Sequence, residues 1–237
     1  MEPGHQKRFD GAEVTCPPES SATRWNLQNA RETVAAWKTL VGGEGGPQHY
    51  PAGGEIFRKG QEARDVFLIA EGLILLYCDL PSGHESVLGV RFPGQIIEQC
   101  AHDLHIPYPV SARTLLPSSI YRISAADLRN RERHNREISL LSERLLRIDL
   151  YNAAIFITEL KASNATDRLE RFLRLLASAS GSTPEAGVLR VMVPLRDEQL
   201  GDMLGCSPRH FKRIRKQLQQ AGRLRVDRDR TFILTTQ

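Results

Sequence analysis

Apolar and polar positions follow three different rhythms along this chain, and each rhythm marks a region. From Leu27 to Leu40 the spacing is helical. The run Gly42, Gly43, Glu44, Gly45, Gly46, Pro47 then ends that helix, because glycine and proline are the poorest helix formers. From His49 to Ile123 the pattern changes to short apolar segments with turn signals between them. Glu55 to Arg58 runs into Lys59-Gly60, Val66 to Ala70 into Glu71-Gly72, and Leu73 to Tyr77 reaches a Pro81-Ser82-Gly83 turn. Ser86 to Val90 leads to Pro93-Gly94, and further strands are expected near Val110 to Leu115 and Ser119 to Ile123. Strands this short and evenly spaced predict a compact β-barrel or β-roll.

The third rhythm is a heptad. Ser124 can cap a long helix, with Asp127 three residues on in the position of a capping box. Apolar residues then recur at Ile138, Leu141, Leu145, Ile148 and Ile155, with Asn152 in the remaining slot. Steps of three and four make a seam of the coiled-coil kind. A helix of roughly 35 residues has more apolar length than a small β-domain covers, so the seam predicts a dimer interface in which Asn152 fixes register. The alternative is a helix packed on its own domain.

Beyond a hinge at Ser163-Asn164-Ala165, the pattern predicts a helix from Thr166 to Ala177, a loop from Gly181 to Gly187 and a strand from Val188 to Val193. The most informative stretch is Asp197 to Gln217. Leu200 and Leu204 are four apart on one helix, and Gly201 lies between them where a second helix would cross closely. Gly205 supplies a tight turn. Ser207 is a good N-cap, and Pro208 occupies the first helical position, where its missing N–H costs nothing. Phe211, Ile214 and Leu218 turn inward, leaving Arg209, His210, Lys212, Arg213 and Lys216 outside. The segment Arg223 to Leu234 alternates around Asp227-Arg228-Asp229 and predicts a hairpin wing that carries Arg228 and Arg230. Together these features predict a winged helix-turn-helix that presents its second helix to a DNA major groove.

Bulk composition narrows the rest. The 237 residues suit two modest domains. Apolar residues make up 41% and charged residues 25%, ordinary for a soluble protein. The net charge is only +4, but from Arg209 to Arg230 nine basic residues face two acids, Asp227 and Asp229. A charge run alone is usually a solvated face; its coincidence with helix-turn-helix spacing points to nucleic acid. No apolar run reaches the roughly 18 residues of a membrane span, and Met1 to Arg24 lacks the apolar core of a secretion signal. Cys16, Cys78, Cys100 and Cys206 are scattered, which fits a reducing cytoplasm. No Ser-His-Asp or paired-carboxylate constellation is discernible, so no catalytic residue and no enzyme is expected.

The stretch Leu200 to Arg213, with Leu-Gly-Asp-Met-Leu-Gly-Cys-Ser-Pro-Arg-His-Phe-Lys-Arg, resembles the DNA-binding motif of the catabolite-activator / fumarate-nitrate-regulator (Crp/Fnr) family. Tyr50 to Gly60 and Val66 to Gly72 resemble the start of that family's cyclic-nucleotide-binding-type β-roll, and Asp167-Arg168-Leu169 falls where the family has such a triplet. The resemblance covers residues 28 to 237. It implies an α+β fold: a sensor β-roll over 28–123, a dimerisation helix over 124–161 and a winged helix-turn-helix over 162–237. Residues 1–27, rich in Gly, Pro, Ser and charge, read as a flexible tail ahead of it. The resemblance also implies a homodimer on an inverted repeat of double-stranded DNA, with RNA polymerase as a further partner and no membrane attachment.

The effector site is where the chain departs from the family. Cyclic-nucleotide binders use a glutamate for the ribose, which Glu98 matches, and an Arg-Ser or Arg-Thr pair for the phosphate. Here that pair reads Tyr108-Pro109, which removes the charge-assisted partner of the phosphate. Arg113, five residues on, is the nearest substitute. The helix positions that offer hydroxyls to the base fall at Ala153 and Ala154. The cofactor is therefore left unknown and cyclic AMP is disfavoured. Alternatives are a cyclic-nucleotide-responsive regulator of the same fold, or a metal or haem redox sensor. Cys100, His102 and His105 have spacing that could serve zinc or haem iron, but they read more simply as a polar loop, and no metal is expected.

Overall fold

The computed structural model describes residues 27–41, 46–81, 83–97, 104, 106–180, 182 and 184–235. The tail, Cys16, Glu98, Cys100, His102 and His105 lie outside them. A helix over Leu27–Leu40 leads into eight strands: β1 Gln48–Tyr50, β2 Glu55–Phe57, β3 Asp65–Glu71, β4 Ile74–Asp79, β5 Glu85–Arg91, β6 Ile96–Ile97, β7 Ser111–Thr114 and β8 Ser118–Ser124. They form two antiparallel four-stranded sheets, ordered β1-β8-β3-β6 and β2-β7-β4-β5. Helices follow over Ala125–His134, Arg136–Ala162 and Ala165–Ala179. The remainder is strand β9 Val188–Met192, helices Asp197–Met203 and Pro208–Gln220, and strands β10 Leu224–Val226 and β11 Thr231–Thr235, the three strands pairing as β10-β11-β9.

Strand parity explains how these elements stack. In β4, Ile74 and Leu76 point into the roll with Phe57, Phe67, Ile69, Ala112 and Ile120. Leu73, Leu75 and Tyr77, on the opposite parity, join the core of the winged-helix domain. In β3, Phe67 and Ile69 face inward, whereas Val66 and Leu68 face outward and pack with Trp37, Leu128, Ile138, Leu141 and Leu145. Both sheets are thus apolar on both faces. The roll is the middle of a sandwich, with helices on one side and the winged-helix domain on the other.

Two expectations about the long helix are corrected. It does not run unbroken from Ser124. Ser124 caps the first piece as expected, its Oγ accepting from Asp127 N at 3.0 Å. At Asn135 the backbone becomes extended (φ −136°, ψ 108°), and Asn135 Oδ1 caps a second helix by accepting from Glu137 N at 2.9 Å and Ile138 N at 3.4 Å. One asparagine both ends one helix and starts the next, because its side chain replaces the backbone acceptor that the new helix lacks. The predicted dimer seam is also corrected. Ile138, Leu141 and Leu145 are 3%, 8% and 4% exposed within a single chain, closed against the roll. Ile148, Asn152 and Ile155 continue that face half-buried. The exposed large apolar residues of the helix are Leu140 at 51%, Leu150 at 74%, Phe156 at 39% and Ile157 at 54%. Leu150 and Ile157 lie opposite the seam, with Ala153 and Ala154 also exposed between them.

Candidate nucleic-acid interface

The bihelical unit is built as its sequence requires. Gly201 sits where a side chain could not: a Cβ there would lie 2.9 Å from the Cys206 carbonyl oxygen and 3.4 Å from Pro208 N. Gly205 has a left-handed backbone (φ 63°), which turns the chain sharply between the two helices. Ser207 Oγ accepts from His210 N at 3.2 Å, and Pro208 opens the second helix. Phe211, Ile214 and Leu218 are 0%, 3% and 4% exposed, anchoring that helix on the domain core. Burial pushes the Cys206 thiol in the turn above its ordinary pKa.

The nine basic residues divide sharply once their partners are known. Arg215 reaches Asp197 at 2.7 Å, Arg223 reaches Glu170 at 2.6 Å and Arg225 reaches Asp227 at 3.0 Å. Arg230, expected to face DNA, instead turns toward Asp197 at 3.3 Å and the Val193 carbonyl at 3.4 Å. Asp197 is only 15% exposed and draws both arginines to itself, which ties the second helix and the wing to the first helix. Arg209, Lys212, Arg213, Lys216 and Arg228 are exposed and form no ion pair among the described residues. The first four, at steps of three, one and three, make one stripe along the helix. Half-buried His210 lies beside the stripe, and Ser207 lies at its head.

The expected effector residues are dispersed. Tyr108 lies inside the roll, 4% exposed, stacked on Phe57 at 4.2 Å. Its hydroxyl donates to the Asp65 carbonyl at 3.0 Å and accepts from Asp65 N at 3.2 Å. Arg113 is not beside it. Arg113 pairs in register with Leu75, so it shares the outer parity. There it lies over the Tyr77 ring at 4.3 Å and grips Glu85 with its two terminal guanidinium nitrogens. That pairing holds the Glu85 carboxyl below its ordinary pKa. Arg113 as a phosphate ligand inside the roll is therefore corrected: a one-residue change of parity sends a β side chain to the other face. Ala153 and Ala154 lie on the exposed face of the long helix.

Glu85 was not singled out in the sequence, which carries no signal for it. Besides Arg113, it meets Arg196 Nη2 at 3.5 Å and Gln199 Nε2 at 3.4 Å across the domain boundary. Gln199 is buried and bonded at both ends, since its Oε1 accepts from Arg196 N at 2.9 Å. Asp197 had only a weak signal, an acid in the first turn of a helix. Among the described residues no group of three His, Cys, Asp or Glu could hold a metal ion. No helix among them is long and apolar enough to cross a membrane.

Comparison with known proteins gives two family matches: a cyclic nucleotide-binding domain over residues 47–134 and a Crp-like helix-turn-helix domain over residues 167–237. The nitrogen fixation regulation protein FixK of Azorhizobium caulinodans is 22% identical over 82% of this chain and 77% of its own length. A CRP-like cAMP-activated global transcriptional regulator of Mycobacterium tuberculosis is 23% identical over 76% of this chain and 80% of its own. Among solved structures, a CRP-family transcriptional regulator from Thermus thermophilus superimposes with a TM-score of 0.67 at 18% identity, covering 79% of this chain and 91% of that one.

Proposed function

We propose, from the premise that this chain belongs to the Crp/Fnr family of transcription regulators, that it acts as a cytoplasmic homodimer without catalytic activity. It reads an inverted repeat in double-stranded DNA and works with RNA polymerase. The observation that carries this reading is the stripe Arg209, Lys212, Arg213, Lys216 on the second helix, with Arg228 on the wing, all without acidic partners among the described residues. Arg209 and Arg213, four apart, reach base edges together, and each arginine fork on guanine is worth about 1–3 kcal/mol of discrimination. Lys212, Lys216 and Arg228 take phosphates, with Ser207 and His210 at the edge of the contact. Arg230 acts through Asp197 to hold the wing.

The dimer face in this proposal is Leu150, Ala153, Ala154 and Ile157, which share one side of the long helix at steps of three and one. The two-fold axis brings the second helices about one DNA turn apart, so half-sites fall about 10–11 base pairs apart, centre to centre. The effector is not cyclic AMP. Support comes from Tyr108 in the phosphate slot, Arg113 committed to Glu85 on the outer face, and alanines where hydroxyls would meet the base. The cAMP-activated relative from M. tuberculosis makes cyclic AMP the reading to exclude. Calorimetry is expected to give binding no tighter than about millimolar, and micromolar binding would restore the cyclic-nucleotide reading.

Selection from random DNA tests the proposal as a whole. An inverted repeat is expected, and Arg213→Ala is expected to lose information at one base of each half-site. An unchanged motif would move the reading face elsewhere. In sedimentation, Leu150→Asp with Ile157→Asp is expected to yield monomers, and a persistent dimer would remove this face from the interface.

A further inference from the structure

The Asp167-Arg168-Leu169 triplet has no part in the reading above, yet Arg168 occupies a singular position. Its Nε donates to the Leu204 carbonyl at 2.9 Å. Its Nη1 faces the carbonyls of Glu159 at 3.4 Å, Leu160 at 3.5 Å and Ser163. These are the terminal carbonyls of two helices, Arg136–Ala162 and Asp197–Met203, with Ser163 and Leu204 as their C-caps. Such carbonyls lie at the negative end of the helix dipole. Glu159 O already accepts from Ser163 N at 3.1 Å, and the carbonyls after it lie in the last turn, where a helix runs out of its own donors. A guanidinium, with five donors in a rigid fork, suits two such ends at once. The contact continues in Leu160, whose Cδ2 lies 2.8 Å from where a Cβ on Gly205 would stand. Arg171 adds a hydrogen bond to Ser163 Oγ at 2.6 Å.

We infer that Arg168 is a positioning residue that joins the end of the long helix to the helix-turn-helix turn and thereby sets which half-site spacing the dimer accepts. The roll holds the flank of helix Asp197–Met203 through β5. Arg168 holds its C-terminal end, from which the turn and the second helix spring three residues later. Without the fork, that end swings about the β5 contact, and the direction of the long helix no longer fixes that of the second helix. In a dimer the long helices define the two-fold axis, so this angle decides the distance between the two reading helices. The inference rests on the dimeric, inverted-repeat reading proposed above. Arg168→Lys is the decisive variant. It keeps the charge beside the carbonyls, but a single ammonium lacks the fork that spans both helix ends.

The test uses full-length wild type, Arg168→Lys and Arg168→Ala. Each is titrated with the selected repeat, with that repeat carrying one or two extra central base pairs, and with a single half-site. Wild type is expected to lose about tenfold or more in affinity on insertion. Both variants are expected to bind the optimal repeat roughly tenfold more weakly, to bind all three spacings within about twofold, and to keep half-site affinity and base preference. Retained spacing discrimination in Arg168→Lys overturns the inference. Equal loss on the half-site also overturns it, because Arg168 would then only hold the winged domain together. A second measurement needs no DNA. Spin labels on Arg144→Cys and Gln219→Cys, with the four native cysteines replaced by serine and labelled chains diluted in unlabelled protein, report the angle directly. A narrow distance distribution that broadens in Arg168→Lys supports the inference, and one that stays narrow overturns it. If wild-type protein prefers no repeat over a half-site while the distances behave as expected, the dimeric reading fails and the coupling stands.

Discussion

The two outer faces of the roll are covered in different ways. The face of sheet β1-β8-β3-β6 is closed by apolar contacts: Val66, Leu68, Ile96, Tyr121 and Ile123 against Trp37, Leu128, Ile138, Leu141 and Leu145. The face of sheet β2-β7-β4-β5 is apolar at its centre, with Leu73, Leu75, Tyr77 and Val87 in one cluster with Leu200 and Met203. Its rim is polar and charged: Glu85 on the roll, gripped by Arg113, meets Arg196 and Gln199 on the winged domain, and Asp202 Oδ2 accepts from Val87 N at 3.4 Å. An apolar face loses about 25 cal/mol for each Å² returned to water. Both covers bury apolar residues of the roll, so the two differ at the rim. Polar rim contacts exchange for water at much smaller net cost, about 0.5–1.5 kcal/mol per hydrogen bond. The wholly apolar cover carries the long helix and is expected to be the permanent one; the cover with the polar rim carries the winged-helix domain and is expected to release first.

The largest expected effect tests permanence. Trp37→Ala removes a side chain 1% exposed at the centre of the apolar cover, and is expected to cost about 3–5 kcal/mol in chemical denaturation. A loss below about 1 kcal/mol would mean that this cover is no tighter than the other. Next comes Glu85→Ala. It strands Arg113, whose side chain is only 22% exposed, and is expected to cost about 1–3 kcal/mol. The loss should be local: hydrogen exchange is expected to quicken in β5 and in helix Asp197–Met203, and to stay unchanged in helix Leu27–Leu40. Equal quickening on both sides would erase the distinction.

The pH dependence sharpens the same contrast. Hydrogen bonds from Arg113 hold the Glu85 carboxyl below its ordinary pKa. Its contribution is therefore complete above the ordinary carboxylate value and lost only as pH falls through the lowered one. Domain docking should survive mild acid and loosen in stronger acid, and Glu85→Gln should abolish that step in an acid titration followed by hydrogen exchange. The smallest effect belongs to Asn135→Ala, which deletes a cap on the permanent side. About 1 kcal/mol is expected by denaturation, with no change in DNA binding.

Much of this architecture was legible in the chain. The helix Leu27–Leu40, the strand series, the turn at Gly205 and the cap at Ser207 each follow from local chemistry, and local chemistry survives into the fold. The break at Asn135 was also written there, as an asparagine before Arg136-Glu137, but the heptad rhythm on either side masked it. The run Leu73 to Tyr77, apolar at both parities, carried a signal of burial on both faces. A run of that kind states that two partners exist without naming either.

By itself the sequence determined most of the helix and strand segments, the break at Asn135 apart, where the bihelical unit starts and turns, and which side of the second helix is basic. These depend on contacts between residues a few positions apart, whose geometry the backbone period fixes. Only tertiary structure decided which partner each apolar face meets and which cations stay unpaired. The seam at Ile138, Leu141 and Leu145 closed on its own roll, Arg113 turned outward to Glu85, and Arg215 and Arg230 converged on Asp197. The reason is physical: apolar burial has no direction and charge pairing has little, so a stripe or an arginine is satisfied by whatever folding brings near it.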